Sequence, residues 1–462
     1  MKCVPARSTA ASFWKLPEQT QGNYPDARQR QNEKVQAVEI TSAERYRQAN
    51  ATAEVTSGRL QELLRFGGLM LSAGETAFRV RRSMSAIARG LGFESFSVQL
   101  GARNLVASGR FDRETAILVR DVDVPSVNTE RIGSLEALAR TSAADMNPRE
   151  FAARLALIET ATARYSIAQT ATAIGVACGA FAFLNGGGWV EVAACFVGGG
   201  VGQGLRSLLS RRRLNQYAVT ALCAILASAV YCAATALARG AGFGVGRRSV
   251  GLVSSVLFLV PGFPLVTALL DQLQNETAAA ISRLAHAMMF VLTAAVGLSV
   301  VIAFFGLPIE APPQHVSAKP LMIFGWAAAS FCGGCGLAIL YNGTLQNVLY
   351  VGVIAVIGNE VHLLLQGGGV PLPLATFLAA LAVGLTASIA GRWIKEARVA
   401  LTVPAAVMMV PGLYALETLV YFDRGEILKG VSAAVLVGFV VGSIAFGLAT
   451  ARFISQPEWL RE

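Results

Sequence analysis

Residues 254–271, SSVLFLVPGFPLVTALLD, place a Pro-Gly pair in the middle of an apolar run. Residues 403–422, VPAAVMMVPGLYALETLVYF, repeat the pattern, and Pro261-Gly262 and Pro411-Gly412 lie 150 positions apart. Proline removes a backbone donor and glycine relaxes the backbone, so we expect both helices to break within a membrane span. A purely structural proline kink is the alternative, but matched breaks in two halves are typical of secondary transporters.

The sequence around these two stretches is poor in charge. Residues 166–462 contain only 27 of the 68 charged residues. A soluble surface is usually about a quarter charged, so this segment needs lipid as its solvent. We predict ten spans, each long enough to cross about 30 Å of hydrocarbon. They are placed at 167–185, 188–208, 216–238, 249–270, 286–306, 320–341, 346–364, 371–392, 400–421 and 431–451.

Five spans in each half make the two copies cross in opposite directions. The predicted fold is therefore an all-α polytopic membrane protein with about ten transmembrane helices, arranged as two inverted five-helix repeats at 166–310 and 318–454. Ten basic residues flank the spans on the side of the N-terminal domain and six on the other side. This bias predicts that both termini, including a short tail at 455–462, are cytosolic.

The N-terminal part of the chain is polar. Residues 1–55 lack periodicity and are interpreted as a disordered tail, whereas residues 56–165 predict a small α+β cytosolic domain. Helices are expected near 57–71, 75–90, 132–141 and 148–164, and strands at SFSVQL (95–100) and TAILVRD (115–121). The segment between the strands, GARNLVASGRFDR, is rich in turn residues. Ser72 and Glu75 have the spacing of a capping box at the start of the second helix.

Several function classes find no support in the sequence. The net charge of +10 lies in loops between apolar runs rather than in a basic stripe with aromatics, which argues against nucleic-acid binding. Cys332 and Cys335 have metal-like spacing, but no second pair or nearby histidine accompanies them, so we predict no metal site. No nucleophile elbow, phosphate loop or zinc-binding run is present. The sequence thus predicts neither an enzyme nor a cofactor.

Ionisable residues in or beside the spans are candidates for the transport pathway, because each is costly in lipid. Glu417 lies six residues after Pro411, well inside the ninth span. The remaining candidates follow the fourth span or end the seventh: Asp271, Asn275, Glu276, Arg283, Asn359 and Glu360. With the two Pro-Gly pairs they form the predicted pathway for substrate and ion.

Three segments resemble the threonine/serine exporter family of bacterial membrane proteins, in its form with two fused halves. LMLSAGETAFRVRRSMSAIARGLG (69–92) is similar to the N-terminal signature of the family. LVPGFPLVTALLDQLQNETAAAISRL (259–284) and VMMVPGLYALE (407–417) resemble its two Pro-Gly helices. The family often has Gly-Asp where this chain has Asn275-Glu276. The signature residues are Ser72, Gly74, Glu75, Thr76 and Arg79.

The resemblance implies efflux of threonine and serine across the bacterial inner membrane, driven by protons. The expected partners are thus a small amino acid, protons and lipid, and a homo-oligomer is left open. Glu417, Asp271 or Glu276 is then expected to bind the substrate ammonium and a proton in alternation. One alternative is an exporter of another solute, such as a dicarboxylate or a peptide. A doubly anionic substrate would require an intramembrane cation, and none is found mid-span. Another is an N-terminal domain that hydrolyses peptides, and a third is a regulatory or assembly domain.

Overall fold

A computed structural model of the chain describes residues 27–462 apart from 102–103, 124–125, 143–146, 213, 247, 307–319, 395, 411, 424 and 457–462. The chain divides into two compact units. The first ends at Glu54, and its described part is helical. The second begins at Val55 and contains both the polar domain and the apolar helices.

The predicted polytopic architecture is confirmed: eight described helices are long and apolar enough to cross a membrane. In chain order they are α5 (Ile167–Leu184), α6 (Trp189–Ser210), α7 (Gln216–Gly240), α10 (Thr277–Phe305), α11 (Pro320–Leu340), α12 (Leu345–Gly367), α13 (Leu372–Ala390) and α16 (Ile427–Ser455). Small residues allow close packing of these helices. For example, a Cβ on Gly336 of α11 would lie 2.5 Å from the carbonyl oxygen of Ala173 in α5.

The other two predicted spans are divided into pairs of short helices. In the first half, α8 (Arg248–Ser255) is followed by a 3-10 turn (Leu257–Leu259) and α9 (Gly262–Leu273). In the second half, α14 (Arg398–Val407) is followed by α15 (Gly412–Asp423). Each half therefore has the same order: three long helices, one broken pair and one further long helix.

In its described residues the polar domain contains four helices and an antiparallel sheet of three strands. The helices are α1 (Ala27–Ser72, of which residues from Val55 belong to this unit), α2 (Ala77–Gly90), α3 (Thr129–Ser142) and α4 (Pro148–Thr160). The strands β1 (Ser95–Leu100), β2 (Asn104–Phe111) and β3 (Glu114–Asp121) pair in sequence order. The core of the domain includes Phe66, Met84, Ile87, Leu105 and Phe151.

Strand β2 corrects the sequence analysis, which assigned residues 101–113 to a turn-rich connection. Asn104–Phe111 pairs with both neighbouring strands, and Leu105, Ala107 and Gly109 are buried. The strand signal is weak because Asn, Ser and Gly have low β propensity. Burial against the helices outweighs that propensity.

Helix α1 begins much earlier than expected. It starts at Ala27, whereas the sequence analysis placed a disordered tail up to residue 55 and a helix from about 57. This polar stretch is rich in Gln, Ala, Arg and Glu, which have high helix propensity even without an apolar stripe. Residues 1–26 of the predicted tail lie outside the described residues.

The polar domain packs on both halves of the apolar bundle. It contacts the first half through Ala77, whose amide donates to Asp271 at the end of α9. It contacts the second half at the turn after α11, where the Thr129 amide donates to the Tyr341 carbonyl at 2.8 Å and the Arg164 amide to Asn342 Oδ1 at 2.8 Å.

Candidate functional site

The first helix break forms at the predicted Pro-Gly pair. Pro261 has no N–H, and the chain continues through a tight turn in which the Gly262 amide donates to the Val260 carbonyl at 2.8 Å. The second half repeats this turn, because the Gly412 amide donates to the Val410 carbonyl at the same 2.8 Å. Pro411 itself lies outside the described residues. Both halves thus interrupt the helical ladder at equivalent positions.

The two breaks pack against each other, and the contact is reciprocal. A Cβ on Gly262 would lie 2.8 Å from Cγ1 of Val407, and one on Gly412 would lie 3.6 Å from Cδ1 of Leu257. Val407 lies 150 residues after Leu257, and Gly412 lies 150 residues after Gly262, so the two contacts join equivalent positions of the two halves. Such reciprocity is expected when a twofold axis relates two copies. Glycine is needed at position 262 because a side chain would overlap Val407.

The turns that follow the broken pairs are also equivalent. Asn275 has φ 60° and Gly425 has φ 73°, and the next residues, Glu276 and Glu426, are the N-cap residues of α10 and α16. Asparagine tolerates this left-handed conformation, so Asn275 can occupy the position that glycine occupies at 425. The two glutamates differ in their partners. Glu426 binds Lys429 at 2.5 Å in its own helix, whereas Glu276 binds the polar domain.

The N-terminus of α2 meets the C-terminal end of α9. Asp271 Oδ1 accepts a hydrogen bond of 2.6 Å from the Ala77 amide, and Asp271 is fully buried. The carboxylate thereby caps a helix that lies 194 residues earlier in the chain. A carboxylate at a helix N-terminus satisfies an unpaired amide and the positive end of the helix dipole.

The predicted capping box does not form. Ser72 Oγ donates to the Leu69 carbonyl at 3.1 Å, and therefore completes the end of α1 instead. Glu75 Oε1 accepts from the amide and the hydroxyl of Thr76, each at 2.8 Å. The cap is supplied by Asp271, so the local Ser-x-x-Glu spacing gave the wrong partner.

Gly74 brings this turn against the first break. Its φ is 100°, and a Cβ there would lie 3.4 Å from Cε1 of Phe263, which follows Gly262. Only glycine adopts this conformation without strain. The signature turn of the polar domain is therefore packed directly on the start of α9.

Two arginines complete the junction between the polar domain and the first half. Arg283 of α10 donates to the Glu75 carbonyl, and its Nη1 lies 3.5 Å from Asp271 Oδ2 without hydrogen-bond geometry. Arg81 of α2 binds both carboxylate oxygens of Glu276, with Nη2 to Oε2 at 2.8 Å. Asp271, Glu276 and Arg283 thus lie at the same junction, and each contacts the polar domain. Their role in a transport pathway stays a prediction.

Glu75 is the most unusual carboxyl group at this junction. Its side chain is 1% exposed, and Oε2 has no hydrogen-bond partner among the described residues. Burial raises the pKa of Glu75 and the nearby Glu136 carboxylate adds to the increase, while Arg79 and the hydrogen bonds from Thr76 oppose it. Arg79, the last of the signature residues, binds Glu136.

The remaining predicted site residues lie elsewhere. Asn359 of α12 is buried and donates to Ser330 Oγ at 2.9 Å, and the neighbouring Glu360 has two buried carboxylate oxygens without a hydrogen-bond partner in the described part of the chain. Glu417 belongs to α15, but its side chain lies outside the described residues.

Arg206 was missed as a functional residue. It lies in α6, and its Nη1 donates to the Phe258 carbonyl at 3.2 Å, in the 3-10 turn before the first break. Arg206 lies near the end of α6, which finishes at Ser210, so the expectation that no cation lies mid-span stays a prediction. Gly198, Gly202 and Arg206 recur every four residues, which places the arginine on the closely packed face of α6. That spacing was the available signal.

Comparison with known proteins agrees with the fold. Residues 61–305 match the family model described as "Putative threonine/serine exporter", and residues 327–454 match the one described as "Threonine/Serine exporter, ThrE". The chain belongs to the threonine/serine exporter family. A protein of Mycobacterium tuberculosis named "Probable threonine/serine exporter" is 24% identical to this family member over 87% of the present chain and 79% of its own.

Other relatives match a smaller share of this exporter-family chain. Proteins of Escherichia coli and Klebsiella aerogenes, both named "Probable succinate transporter subunit YjjP", are each 28% identical over 31% and 29% of the present chain. The matches cover 55% and 50% of those relatives, so the chain spans about half of their length. No solved structure matches the chain.

Proposed function

We propose that this chain exports small neutral amino acids, threonine and serine, and that a proton gradient drives the export. The observation that carries this proposal is the reciprocal contact between the two breaks, Gly262 against Val407 and Gly412 against Leu257. In transporters with paired broken helices, substrate binds where the breaks meet. Membership of the exporter family supports the substrate class.

The helix that follows each break begins with a site that suits the carboxylate of an amino acid. Helices α9 and α15 begin at Gly262 and Gly412, so the positive ends of both helix dipoles lie at the contact between the breaks. Unpaired amides in the first turn of a helix bind anions. Carbonyls freed by the breaks are acceptors for the ammonium group and the side-chain hydroxyl.

The proton-coupling part of the proposal rests on Glu75 and Asp271. Each has one buried carboxylate oxygen without a hydrogen-bond partner among the described residues, and Arg283 contacts both residues. A proton on either unpartnered oxygen would remove a buried negative charge and reduce the charge beside the break. Neutralising this pair is then the step that loosens the contact between α2 and α9 and allows the helices to rearrange. Glu276 and Glu417 remain further candidates for the carrier.

We also propose that the protein lies in the bacterial inner membrane with both termini in the cytosol and with the two halves inverted. The different environments of Glu276 and Glu426 support inversion, because only the first of the two equivalent turns binds the polar domain. Reporter fusions at both termini test this arrangement. A periplasmic signal from either fusion contradicts it.

Dicarboxylate transport is the second candidate function. Arg206 places a guanidinium next to the first break, as a doubly anionic substrate requires. Two relatives bear names that include a succinate transporter subunit, which points in the same direction.

One experiment separates the two functions. Purified protein is reconstituted into liposomes preloaded with labelled threonine, serine or succinate, and efflux is measured with and without an imposed proton gradient. Our proposal expects gradient-dependent efflux of threonine and serine. Efflux of succinate alone establishes the second function, and efflux of threonine that ignores the gradient removes the proton coupling.

A further inference from the structure

A cavity of about 270 Å³ lies between the polar domain and the second half of the bundle. Arg140 and Arg392 lie at its exposed rim, and the buried residues Glu136 and Leu401 lie deeper inside. A smaller cavity adjoins it, since Arg79, Glu136 and Arg398 line both. The smaller cavity is also lined by Leu270 of α9 and Thr402 of α14, and so reaches both broken pairs.

The positive charge in this cavity is not balanced by the carboxylates around it. Glu136 is shared, because it binds Arg79 and lies 3.6 Å from Arg140. The other carboxylate of the lining, Glu396, accepts from the Thr344 hydroxyl at 2.9 Å. Guanidinium groups therefore outnumber carboxylates here, and a protonated Glu75 would enlarge the excess.

Arg398 is the centre of this imbalance. It is half-buried, and it donates to Ser455 Oγ at 2.9 Å and to the Gly384 carbonyl at 3.1 Å. Both acceptors are neutral, and no carboxylate oxygen in the described part of the chain lies within 4 Å of its guanidinium. A guanidinium removed from water without an anionic partner is costly, which a bound anion would offset.

We propose that this cavity binds the carboxylate group of a small organic acid or amino acid, with Arg398 as its principal partner. The planar guanidinium matches a carboxylate in a two-point hydrogen bond. The volume suits a ligand with a few carbon atoms rather than a peptide. The inference deepens the proposed function, since it places an initial binding step where the polar domain meets α9 and α14. The carboxylate can belong to threonine or to a dicarboxylate.

Binding to the full-length protein in lipid nanodiscs tests this site. Labelled threonine and labelled succinate are titrated into wild type, Arg398→Gln, Arg398→Lys and Arg154→Gln, the last being an exposed control on α4. We expect Arg398→Gln to raise the Kd of the bound ligand at least tenfold, Arg398→Lys to raise it less, and Arg154→Gln to leave it unchanged. Threoninamide, which lacks the carboxylate, should not compete. Equal Kd values for Arg398→Gln and wild type overturn the site.

A second measurement is independent of the folding of the Arg398 variants. Ser388 also lines the larger cavity, so Ser388→Cys is alkylated in otherwise wild-type protein and modification at position 388 is followed by mass spectrometry. The carboxylate ligand should slow the modification at least threefold and threoninamide should not. Equal rates with and without ligand reject the site.

The outcomes for this site and for the proposed export differ. Normal threonine efflux with an unchanged KM in Arg398→Gln rejects the site and leaves the export function intact. Protection at position 388 by succinate alone, in a protein that does not export threonine, supports the site and rejects amino-acid export.

Discussion

The Asp271 carboxylate accepts a hydrogen bond of 2.6 Å from the amide of Ala77, and so joins the end of a broken apolar helix to the start of a helix in the polar domain. The hydrogen bond therefore joins α2 and α9, which are far apart in the sequence. The position of the polar domain is thereby coupled to the conformation of α9, because any movement of that helix displaces the cap of α2.

Removing this cap should loosen the polar domain. We expect Asp271→Ala to destabilise the protein by about 1–2 kcal/mol, the usual value for a lost N-cap, with a further cost because Arg283 loses a charged neighbour. Asp271→Asn keeps an acceptor oxygen for the Ala77 amide and should lose less. Thermal unfolding in detergent measures both variants. A melting temperature of Asp271→Ala equal to that of wild type would show that the cap contributes nothing.

Gly74 should not tolerate a side chain. Its φ of 100° and the short distance to Phe263 make Gly74→Ala strained, at about 1–3 kcal/mol. Gly58→Ala is the matched control, because Gly58 lies in α1 and a Cβ there would meet no atom within 4 Å. Alanine there should be neutral or stabilise the helix by up to about 1 kcal/mol. We expect the melting temperature of Gly74→Ala to fall below that of wild type and that of Gly58→Ala to stay level or rise.

The contact between the two breaks can be tested by compensation. Gly262→Ala places a methyl group 2.8 Å from Val407, and should reduce efflux and destabilise the protein by about 1–3 kcal/mol. Val407→Ala removes the obstructing methyl groups, so the double variant should recover part of both losses. Gly438→Ala is the control, since a Cβ on Gly438 meets nothing within 4 Å. Losses that simply add in the double variant contradict the packing of the two breaks.

Glu75 should make stability depend on pH. Burial raises the pKa of its carboxyl in the folded state, so the folded protein favours the protonated form. The contribution of Glu75 is then fully present below the unfolded pKa of about 4.3 and is lost as the pH rises through the folded pKa. Glu75→Gln mimics the protonated form, and we expect it to melt above wild type at pH 8 and level with it near pH 4. An identical pH profile for the two proteins contradicts the assignment.

The helix breaks could be predicted from the sequence, but the partners of the charged residues could not. Proline interrupts the helical hydrogen bonds of its own segment, so the break at Pro261 could be predicted without knowledge of the fold. Asp271 and Ala77 are separated by 194 residues, and no local pattern indicates that they meet. The Ser72–Glu75 spacing even suggested a competing local cap, which the tertiary contact replaced.

Strand β2 and Arg206 show a second reason for the differences. Both were judged by their own residue types. Asn104, Ser108 and Gly109 weakened the strand signal, and Arg206 was one of the ten basic residues counted as flanking the spans. In each case the partner supplied what the segment lacked, two flanking strands for β2 and the Phe258 carbonyl for Arg206. When the hydrogen-bond partner of a polar group is a backbone group far away in the sequence, the local sequence pattern cannot predict that partner.

The hydrogen bonds from Thr129 and Arg164 to the turn at Tyr341 and Asn342 have a consequence for assembly. The polar domain belongs to the first half of the chain, yet it forms hydrogen bonds with the second half. The two halves are therefore held together by these contacts as well as by their covalent connection. These contacts should therefore hold the two halves together even without a covalent connection between them. If the two halves are expressed as separate polypeptides divided within 307–319, we expect them to associate as an obligate heterodimer. The polar domain should then be the part of the first polypeptide that recognises the second.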